Sequence, residues 1–452
     1  GGPAVEALRG RDMRVMEEDR VYAPPLQRAE VAAAELLSAL ARPRAGRAEA
    51  ARELKVSDLL SDQQKEAVRL SLQSGLMVLT GGPGTGKTTT LQAIVEAHEK
   101  LDLRVTLCAP TGRAAKRMSE ASGKEAKTIH RLLEWNPVTA GFSRGAEEPL
   151  ATDLVVVDEA SMLDLSLGRS LLDAIPKSAS LVLVGDVDQL PPVGAGQLLR
   201  EVIRADVAPV IRLQTVFRQA QESAIVRGAH ALLEGQVPTP TSRGEKGSGD
   251  LFLIRSRDPE TIIDKVRSTL QRIPTAYGLD AKRDVQVLVP MRRGPLGTEN
   301  LNTELQAALN PGRGAQGAFR AGDKVMQLRN DYEREVFNGD IGWVQSVMDG
   351  VTYVDFESGR RSYKTEELDA LTLAYATTIH KSQGSEFPAV VLVLHGAHHV
   401  LLSRALVYTA VTRAKRLVVI VGDPRAVARA ARTTDTYESY CRLAERLQAK
   451  RA

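Results

Sequence analysis

The chain has 452 residues, which is long enough for two to four domains with cores of their own. Its 43% hydrophobic and 26% charged residues are ordinary for a soluble globular protein, and the sequence contains neither a membrane-length apolar run nor a signal-peptide pattern. The net charge of +4 is too small to establish a nucleic-acid partner by itself. Cys108 and Cys441 match no metal or redox spacing, which predicts buried reduced thiols in a cytosolic protein.

Two series of strand-like segments predict the architecture. Residues 1–56 have apolar residues at helical spacing and are expected to be the helical remnant of a longer N-terminal region. In residues 57–215, near-continuous apolar runs alternate with helical stretches, which is typical of a parallel sheet covered by helices. The same pattern returns in residues 216–320 and 371–452. The sequence therefore predicts an α/β protein with two tandem parallel-sheet domains and a nucleotide site in the cleft between them.

Two insertions interrupt these domains. Residues 134–150 contain a tryptophan followed by Asn-Pro and Ala-Gly pairs, which predicts a protruding β-hairpin. Residues 321–370 alternate with period two and contain turn signals at Asn338-Gly339, Asp349-Gly350 and Ser358-Gly359. Short strands joined by such turns predict a small β-barrel set into the second domain.

Residues 81–88 read Gly-Gly-Pro-Gly-Thr-Gly-Lys-Thr and directly follow an apolar run. A strand, a glycine-rich turn and a helix beginning near Lys87 form the context of a phosphate-binding P-loop, which a chance glycine-rich turn would lack. Glycines let backbone N–H groups curl around phosphates, Lys87 would reach the β- and γ-phosphates, and the Thr88 hydroxyl would bind Mg²⁺. The predicted ATP contacts in this segment are Gly82, Pro83, Gly84, Thr85, Gly86, Lys87, Thr88 and Thr89.

Asp158 and Glu159 follow a second apolar strand, Leu154–Val157, as the acidic pair of a nucleotide hydrolase does. We expect Asp158 to hold Mg²⁺ and Glu159 to orient and deprotonate the attacking water. The alternative for this pair is a cap on the following helical segment. The P-loop upstream favours the catalytic interpretation.

Three further residues are candidates for the hydrolysis step. Gln189 lies in a polar loop after another buried strand and is predicted to contact the γ-phosphate or the attacking water. Arg218 and Arg413 are predicted to supply positive charge from outside the P-loop domain, a contribution typically worth roughly 10³–10⁵ in rate. The alternative for each arginine is an ordinary surface ion pair.

In this order the motifs resemble those of superfamily 1 DNA helicases, and in particular the RecD-like branch of stand-alone bacterial enzymes. The resemblance runs from about residue 54 to residue 421 and covers most of the chain. Its most specific segments are 378–387, Thr-Ile-His-Lys-Ser-Gln-Gly-Ser-Glu-Phe, and 407–414, Val-Tyr-Thr-Ala-Val-Thr-Arg-Ala. The other matching segments are 63–68, 81–88, 109–115, 128–132, 157–162, 185–192 and 290–294.

The resemblance implies an ATP-dependent motor that translocates 5′→3′ on single-stranded DNA and unwinds duplex DNA in repair or recombination. It implies two RecA-like domains, a contact between Gln64 and adenine, a duplex-splitting pin at 134–150 and a Src-homology-3-like barrel at 321–370. ATP and Mg²⁺ would be the cofactors, and single-stranded DNA and single/double-strand junctions the partners. We expect a monomer in the bacterial cytoplasm, associated with the nucleoid and not with a membrane.

A single-strand track needs hydroxyls, backbone amides and cations for phosphates. Thr111, Gly112 and Arg113 follow a strand end, where open α/β sheets bind ligands, and the remaining contacts follow from the resemblance. With 4% aromatic residues, extensive base stacking is not expected, and Trp135, Phe217, Tyr332 and Phe337 are candidates for stacking or for local packing. The predicted DNA contacts are Thr111, Gly112, Arg113, Thr128, His130, Pro192, Arg292, Arg293, Thr378, His380, Lys381 and Ser382.

Several alternatives stay open at this point. His395, His398 and His399 suggest either a zinc site or, since no Cys or carboxylate nearby completes a ligand set, a surface loop. An RNA-directed remodelling ATPase would carry the same core motifs, although segments 290–302 and 376–387 favour DNA. A module that uses ATP only as a structural clamp would not need Glu159 and both arginines. Residues 425–452 alternate Arg and Glu, which predicts a solvated amphipathic helix.

Overall fold

The computed structural model describes residues 15–17, 20–136, 138–215, 222–241, 249–312, 319–434 and 441–451. The chain divides into unit 1, which contains Gly1–Val216 and Thr436–Ala452, and unit 2, which contains Phe217–Asp435.

The strands of unit 1 are β1 (Val15–Glu17), β2 (Arg20–Tyr22), β3 (Leu76–Gly81), β4 (Val105–Ala109), β5 (Ala126–Thr128), β6 (Trp135–Asn136), β7 (Gly141–Phe142), β8 (Leu154–Val157), β9 (Ser180–Gly185) and β10 (Val210–Leu213). The strands of unit 2 are β11 (Leu251–Arg255), β12 (Val285–Val289), β13 (Lys324–Gln327), β14 (Ile341–Met348), β15 (Val351–Phe356), β16 (Gly359–Lys364), β17 (Leu371–Leu373), β18 (Ala376–Thr378), β19 (Phe387–Leu394) and β20 (Ala414–Gly422).

The α-helices are α1 (Pro24–Leu40), α2 (Ala48–Glu53), α3 (Asp62–Gln73), α4 (Lys87–Glu99), α5 (Gly112–Ser122), α6 (Ile129–Leu132), α7 (Leu165–Ala174), α8 (Leu198–Ala205), α9 (Ala224–Leu233), α10 (Pro259–Tyr277), α11 (Thr298–Leu309), α12 (Arg404–Val411), α13 (Pro424–Arg432) and α14 (Leu443–Arg451). Short 3-10 helices cover Ala45–Arg47, Ala160–Met162, Thr365–Ala370, His380–Ser382 and Gly396–His398. Across the described ranges, no helix combines the length and the hydropathy that a membrane span requires.

A six-stranded sheet organises unit 1, with the strand order β10-β3-β9-β8-β4-β5 and parallel pairing throughout. Alternate residues of its central strands enter two separate cores. Val155 and Val157 of β8 face the core that contains α1, α7 and α8, whereas Leu154 and Val156 face the core that contains α3 and α4. Strands buried on both faces read as continuous apolar runs, and for this reason the sequence pattern predicted them.

The segment expected to be a separate N-terminal remnant is part of the unit 1 core. Ala33, Leu37 and Leu40 of α1 are buried in the same cluster as Val155 and Val157 of the sheet. Ahead of this helix, β1 and β2 form a short antiparallel pair. The helical periodicity predicted α1 correctly, but it carried no information about the surface that α1 covers.

The C-terminal helix α14 also belongs to unit 1, although residues 371–452 were expected in the second domain. Leu443, Ala444 and Leu447 are buried and pack into the core that contains α1 and α8. The expectation of one solvated helix over 425–452 is therefore wrong. The apolar residues of α14 are few, so its sequence pattern resembles that of a surface helix.

Charge pairing fixes α14 on α1. The Arg446 Nε atom donates to Glu30 Oε1 at 2.8 Å, and the Arg442 backbone N–H donates to Glu30 Oε2 at 3.1 Å. Glu30 is 1% exposed, and Arg446 also donates to Glu17. A buried carboxylate needs such partners because desolvation of an unpaired charge is costly. The interaction joins residues about 400 positions apart, which periodicity cannot reveal.

A five-stranded parallel sheet organises unit 2, with the strand order β11-β20-β19-β12-β18. A second, antiparallel sheet of the same unit has the order β16-β15-β14-β13-β17 and corresponds to the predicted insertion. The turn between β14 and β15 has φ of 50° at Asp349 and 76° at Gly350. Two consecutive positive φ values are typical of a tight hairpin turn, as the Asp-Gly pair predicted.

Buried polar side chains join the two sheets of unit 2. The Asn302 Nδ2 atom donates to the carbonyl oxygens of Leu373 at 2.9 Å and Ala376 at 3.0 Å. The Tyr375 hydroxyl donates to Asp323 Oδ1 at 2.8 Å, and the Gln306 Nε2 atom donates to Asp323 Oδ2 at 2.7 Å. Because these groups are buried and satisfied, breaking the junction between the sheets would expose several unpaired donors and acceptors.

The predicted hairpin insertion contains the antiparallel pair β6 and β7, in which Trp135 lies opposite Phe142. The rings of these two residues are 4.9 Å apart between centroids. Pro137, which lies between the strands, is outside the described residues. Both cysteines are buried thiols, as predicted, and burial raises the pKa of Cys108 to about 12.

Candidate functional site

The carboxyl edge of the unit 1 sheet collects the predicted nucleotide residues. Because β3, β9 and β8 are parallel neighbours, the loops that follow them leave at the same edge. The P-loop follows β3, Asp158 and Glu159 follow β8, and the loop that contains Gln189 follows β9. Thr111 follows β4 and Thr128 ends β5, so the predicted DNA contacts of unit 1 continue along this edge.

The P-loop has the backbone that its glycines predict. Gly84 and Gly86 have φ of 72° and 82°, in the left-handed region that favours glycine. A Cβ atom on Gly81 would lie 2.8 Å from the Leu213 carbonyl oxygen and 2.8 Å from Thr85 Oγ1, so the loop start is also tightly packed. Gly86 is the N-cap of α4, whose N-terminal backbone N–H groups and dipole favour an anion.

Lys87 lies over the loop that precedes it. Its Nζ atom donates to the carbonyl oxygens of Gly81 at 2.5 Å and Gly82 at 2.9 Å. An ammonium held by neutral carbonyls in a curled glycine loop is suited to exchange one of them for a phosphate oxygen. Thr88 and Thr89 lie in the first turn of α4 and are exposed, which leaves the Thr88 hydroxyl accessible to a cation.

Gln64, the predicted adenine contact, is hydrogen-bonded to the backbone of the P-loop. Its Oε1 atom accepts from the Ser61 backbone N–H at 2.9 Å, and its Nε2 atom donates to the Gly86 carbonyl oxygen at 3.3 Å. Ser61 and Gln64 form the capping box of α3, and Gln64 is 1% exposed. The adjacent Gln63 accepts from the Gln214 backbone N–H at 3.2 Å. A contact of Gln64 with adenine stays a prediction.

The buried Asp158 carboxylate would be stabilised by a divalent cation. Burial and, to a smaller extent, the Glu159 carboxylate raise the pKa of Asp158 to about 6. A cation bound at Asp158 would offset the cost of burying this carboxylate charge. The cradle of positive-φ glycines, the loop-bound Lys87 and the acidic strand end therefore fit a Mg²⁺–nucleoside triphosphate.

Glu159 has an unusual backbone conformation, and its side chain pairs with Arg117, a residue that the sequence did not indicate. Its φ is 51°, and left-handed backbone at a non-glycine residue costs about 1–3 kcal/mol. Its Oε1 atom accepts from Arg117 Nη2 at 2.8 Å, in a pair whose side chains are 12% and 26% exposed. Glu159 makes no side-chain capping bond to the 3-10 helix after it, so the cap alternative is not supported.

Gln189 is fixed by a second missed residue, Asp186. The Gln189 Nε2 atom donates to Asp186 Oδ2 at 3.2 Å, and the Asp188 backbone N–H donates to Asp186 Oδ1 at 3.1 Å. Asp186 is 2% exposed and Gln189 is 7% exposed. An Asp that accepts from the backbone two residues later is a common turn former, which was the available sequence signal.

In unit 1 most of the predicted DNA residues lie at helix beginnings. The Thr111 hydroxyl caps α5 by accepting from the Ala114 N–H at 3.3 Å, and the Thr128 hydroxyl caps α6 by accepting from the Arg131 N–H at 3.1 Å. Gly112 and Arg113, in the first turn of α5, are half-buried, and so is Pro192, which lies in the loop after β9 and not at a helix beginning. These hydroxyls and the α5 N-terminus are groups of the kind that hold backbone phosphates.

His130 has a different environment from the other predicted DNA residues. Its ring lies 6.2 Å from that of Trp135 and 5.6 Å from that of Phe142, measured between centroids. Burial lowers the pKa of His130, so the neutral imidazole is favoured. His130 therefore packs at the base of the hairpin, and its contact with DNA stays a prediction.

In unit 2, three of the predicted DNA residues line one cavity of about 370 Å³: Arg292, Thr378 and Lys381. Arg292 pairs with Glu299 at 2.8 Å, and partial burial together with the Arg292 charge lowers the pKa of Lys381. Arg293 is exposed and His380 half-buried, and neither lines this cavity. Ser382 differs from its prediction as an open phosphate ligand, because it is 1% exposed and its hydroxyl donates to the Ile379 carbonyl oxygen at 2.7 Å.

Arg413 is buried inside unit 2. It is 3% exposed, and its Nη1 and Nε atoms donate to the carbonyl oxygens of Ser385 at 3.2 Å and Thr409 at 3.3 Å. This burial does not match the alternative of a surface ion-pair partner. Arg218 and Phe217 lie outside the described residues, so the roles predicted for them stay predictions.

The histidine pattern has a local structural role. His395 Nδ1 accepts from the Ala397 backbone N–H at 3.1 Å, and His398 Nδ1 accepts from the His395 backbone N–H at 3.2 Å. His398 is 1% exposed, whereas His395 is half-buried and His399 is exposed, so of these three residues only His398 departs from the surface loop that was the alternative to zinc. Among the residues that the structure describes, no group of three His, Cys, Asp or Glu side chains could hold a metal ion.

Comparison with known proteins identifies the family. Three family models match the chain: an AAA domain over residues 64–195, an ATP-dependent RecD-like DNA helicase SH3 domain over 301–356 and a UvrD-like helicase C-terminal domain over 373–421. The RecBCD enzyme subunit RecD of Mycolicibacterium smegmatis is 34% identical over 80% of this chain and 71% of that protein. The chain belongs to the RecD-like family of superfamily 1 helicases.

Other members of the RecD-like family are similar over the same region. The ATP-dependent RecD2 DNA helicase of Deinococcus radiodurans is 43% identical over 88% of this chain and 54% of that protein. The chain thus spans about half the length of this relative. The solved structure of Bacteroides Pif1 bound to single-stranded DNA aligns with a TM-score of 0.45 and 19% identity over 83% of this chain and 94% of that chain. This last likeness is too low to add to the assignment.

The family assignment confirms the predicted resemblance and the predicted α/β fold with a Src-homology-3-like insertion. The SH3-domain match spans β13, β14 and β15, and the AAA-domain match begins at Gln64 and includes the P-loop and the acidic pair.

The arrangement of Lys87 leads to a direct test. Lys87→Ala removes the cation that the P-loop carbonyls hold, so we expect ATP turnover to fall by roughly 10²–10³-fold while affinity for single-stranded DNA is retained. Lys100→Ala, at the exposed end of the same helix, is the matched control and should be neutral. Steady-state ATPase rates and oligonucleotide anisotropy make the comparison. Normal turnover in Lys87→Ala would contradict the P-loop assignment.

Proposed function

We propose that this chain is an ATP-dependent DNA helicase that translocates 5′→3′ on single-stranded DNA and unwinds duplexes. The observation that carries the proposal is the gathering of Lys87, Asp158, Glu159 and Gln189 at one sheet edge. Membership of the RecD-like family supports it, as does the name of the Deinococcus relative, an ATP-dependent DNA helicase. Such an enzyme would act in DNA repair or recombination, in the bacterial cytoplasm at the nucleoid.

The residues of unit 1 have separable roles in this proposal. Lys87 and the N-terminus of α4 would hold the triphosphate, and Thr88 and Asp158 would hold Mg²⁺. Bound Mg²⁺ would neutralise charge on the phosphates. Glu159 would accept a proton from the attacking water, and Gln189, anchored by Asp186, would orient that water.

Strand tracking would use the two DNA regions described above. In unit 1, the Thr111 and Thr128 hydroxyls would donate to phosphates while still capping their helices. In unit 2, Arg292, Thr378 and Lys381 line a cavity that could receive part of a nucleotide. Many modest contacts of this kind can be exchanged stepwise, and affinity should fall with added salt because phosphates supply most of it.

Two other functions have less support. An RNA-directed ATPase would use the same nucleotide site, and comparing DNA with RNA as activators separates it from a DNA helicase. A non-motor module that holds ATP as a clamp would not require a strained, ion-paired glutamate beside the P-loop. Such a module would show no polynucleotide-stimulated turnover.

The polarity of unwinding tests the proposal. Two matched DNA duplexes, one with a 5′ single-strand tail and one with a 3′ tail, are incubated with the chain, ATP and Mg²⁺. We expect strand separation only with the 5′ tail, and none with Lys87→Ala. Unwinding only from the 3′ tail would discard the proposed direction. Intact DNA-stimulated ATPase without unwinding of either duplex would contradict the helicase activity and point to a translocase.

The hairpin predicts a separation of functions. Its tip residue Val138 is 92% exposed, while its base packs on His130 through Trp135 and Phe142. Shortening the chain across residues 137–145 should reduce unwinding by roughly tenfold or more and leave DNA-stimulated ATPase near normal, because no nucleotide residue is removed. Val138→Ser retains the hairpin and tests the apolar tip alone. Unchanged unwinding in the shortened chain would show that the hairpin is not the pin.

A further inference from the structure

Helix α5 connects the predicted DNA site of unit 1 to Glu159, the predicted general base. It begins beside Thr111, whose hydroxyl caps it, and it carries Arg113 in its first turn and Arg117 one turn later. Residues four positions apart lie on the same face of a helix. Arg117 Nη2 donates to Glu159 Oε1 at 2.8 Å. One helix face therefore bears Arg113, a predicted phosphate contact, and Arg117, the ion-pair partner of Glu159.

The ion pair restrains Glu159 in two ways. A carboxylate that accepts a charge-assisted hydrogen bond from guanidinium is a poorer acceptor for a water proton, because its electron density is already engaged. The pair also holds the side chain of a residue with φ of 51°, a conformation that needs support from its surroundings. With 12% and 26% exposure, the two side chains are only weakly screened by solvent.

Arg117 is chemically suited to change partners. Guanidinium binds carboxylate and phosphate with the same planar geometry, so a DNA phosphate near the beginning of α5 would compete with Glu159 for the same donors. The helix itself is anchored by the buried Ala114, Ala115 and Met118, so the exchange requires only the Arg117 side chain to move.

We propose that Arg117 is a positioning residue that restrains Glu159 in the DNA-free chain, and that a single-stranded DNA phosphate at α5 draws Arg117 away and releases Glu159. This inference rests on the proposed ATPase and helicase function. It attributes the stimulation of ATP turnover by DNA to the movement of the Arg117 side chain from Glu159 to a DNA phosphate. Linkage makes the effect reciprocal, so removal of the Glu159 charge should strengthen DNA binding without any nucleotide.

The first test measures affinity for a fluorescent oligothymidylate by anisotropy in the absence of nucleotide. Glu159→Gln removes the competing charge and should tighten binding by about fivefold. Arg117→Ala should weaken binding and reduce the slope of log affinity against log salt by about 1, and the double variant should behave like Arg117→Ala. Equal affinity of Glu159→Gln and the unmodified chain would overturn the exchange.

Lys116→Ala is the matched control for these measurements. It removes one positive charge from the same helix, and Lys116 pairs with Glu120 at 3.8 Å. The control should lose less affinity than Arg117→Ala and show no dependence on Glu159. Equal losses in the two variants would reduce Arg117 to a general surface charge and contradict the proposal.

The second test compares ATP turnover with and without oligothymidylate. Arg117→Ala should raise DNA-free turnover by about fivefold and shrink the stimulation by DNA, while Arg117→Lys should restore part of the restraint. Equal loss of both rates in Arg117→Ala would mean that Arg117 only assists catalysis, and would overturn the proposal. If the unmodified chain shows no DNA-stimulated turnover, the proposed function fails. The affinity measurements without nucleotide would still show whether Arg117 exchanges Glu159 for a DNA phosphate.

Discussion

Parallel pairing of β3, β8 and β9 is the constraint on which the candidate site depends. The register places Thr80 beside Gly185 and Val157 beside Leu183, so the three loops that follow begin within about two residues of one another. Apolar side chains on both faces of these strands hold that register, since a slip would displace residues from two cores at once. The site is thus a consequence of burial elsewhere in unit 1.

Several groups at this edge are held in energetically costly arrangements. Asp158 is ionised only at the cost of desolvation, Lys87 bonds neutral carbonyls, and Glu159 adopts left-handed backbone. By contrast, the buried Asn302 and Asp323 of unit 2 have several well-formed hydrogen bonds. Local features that weaken a fold are expected where a ligand or a partner change later compensates for them.

Sequence patterns predicted the parts of the structure that depend on local chemistry. Continuous apolar runs predicted β3, β4, β8 and β9, and the Asp349-Gly350 pair predicted the turn after β14, because burial on two faces and positive φ restrict residue choice directly. Glycines and Lys87 predicted the P-loop for the same reason. The antiparallel sheet of unit 2 followed from period-two alternation and its turn residues.

Features that depend on distant contacts could not be predicted in this way. The place of α14 depends on Glu30, more than 400 residues earlier, and its short apolar face resembles that of a solvated helix. The Arg117–Glu159 pair joins a helix to a strand end 42 residues later. Gln64 and Ser382 were assigned by motif position, whereas their side chains form a capping box and a backbone hydrogen bond. Motifs indicate a site, but only packing determines which atoms remain accessible.

Hydrogen–deuterium exchange of the whole chain shows whether the carboxyl edge of the unit 1 sheet binds nucleotide. With Mg²⁺ and a non-hydrolysable ATP analogue, we expect slower exchange in residues 81–90, 158–160 and 186–190. Unchanged exchange in residues 81–90, with protection confined to other parts of the chain, would contradict nucleotide binding at this edge.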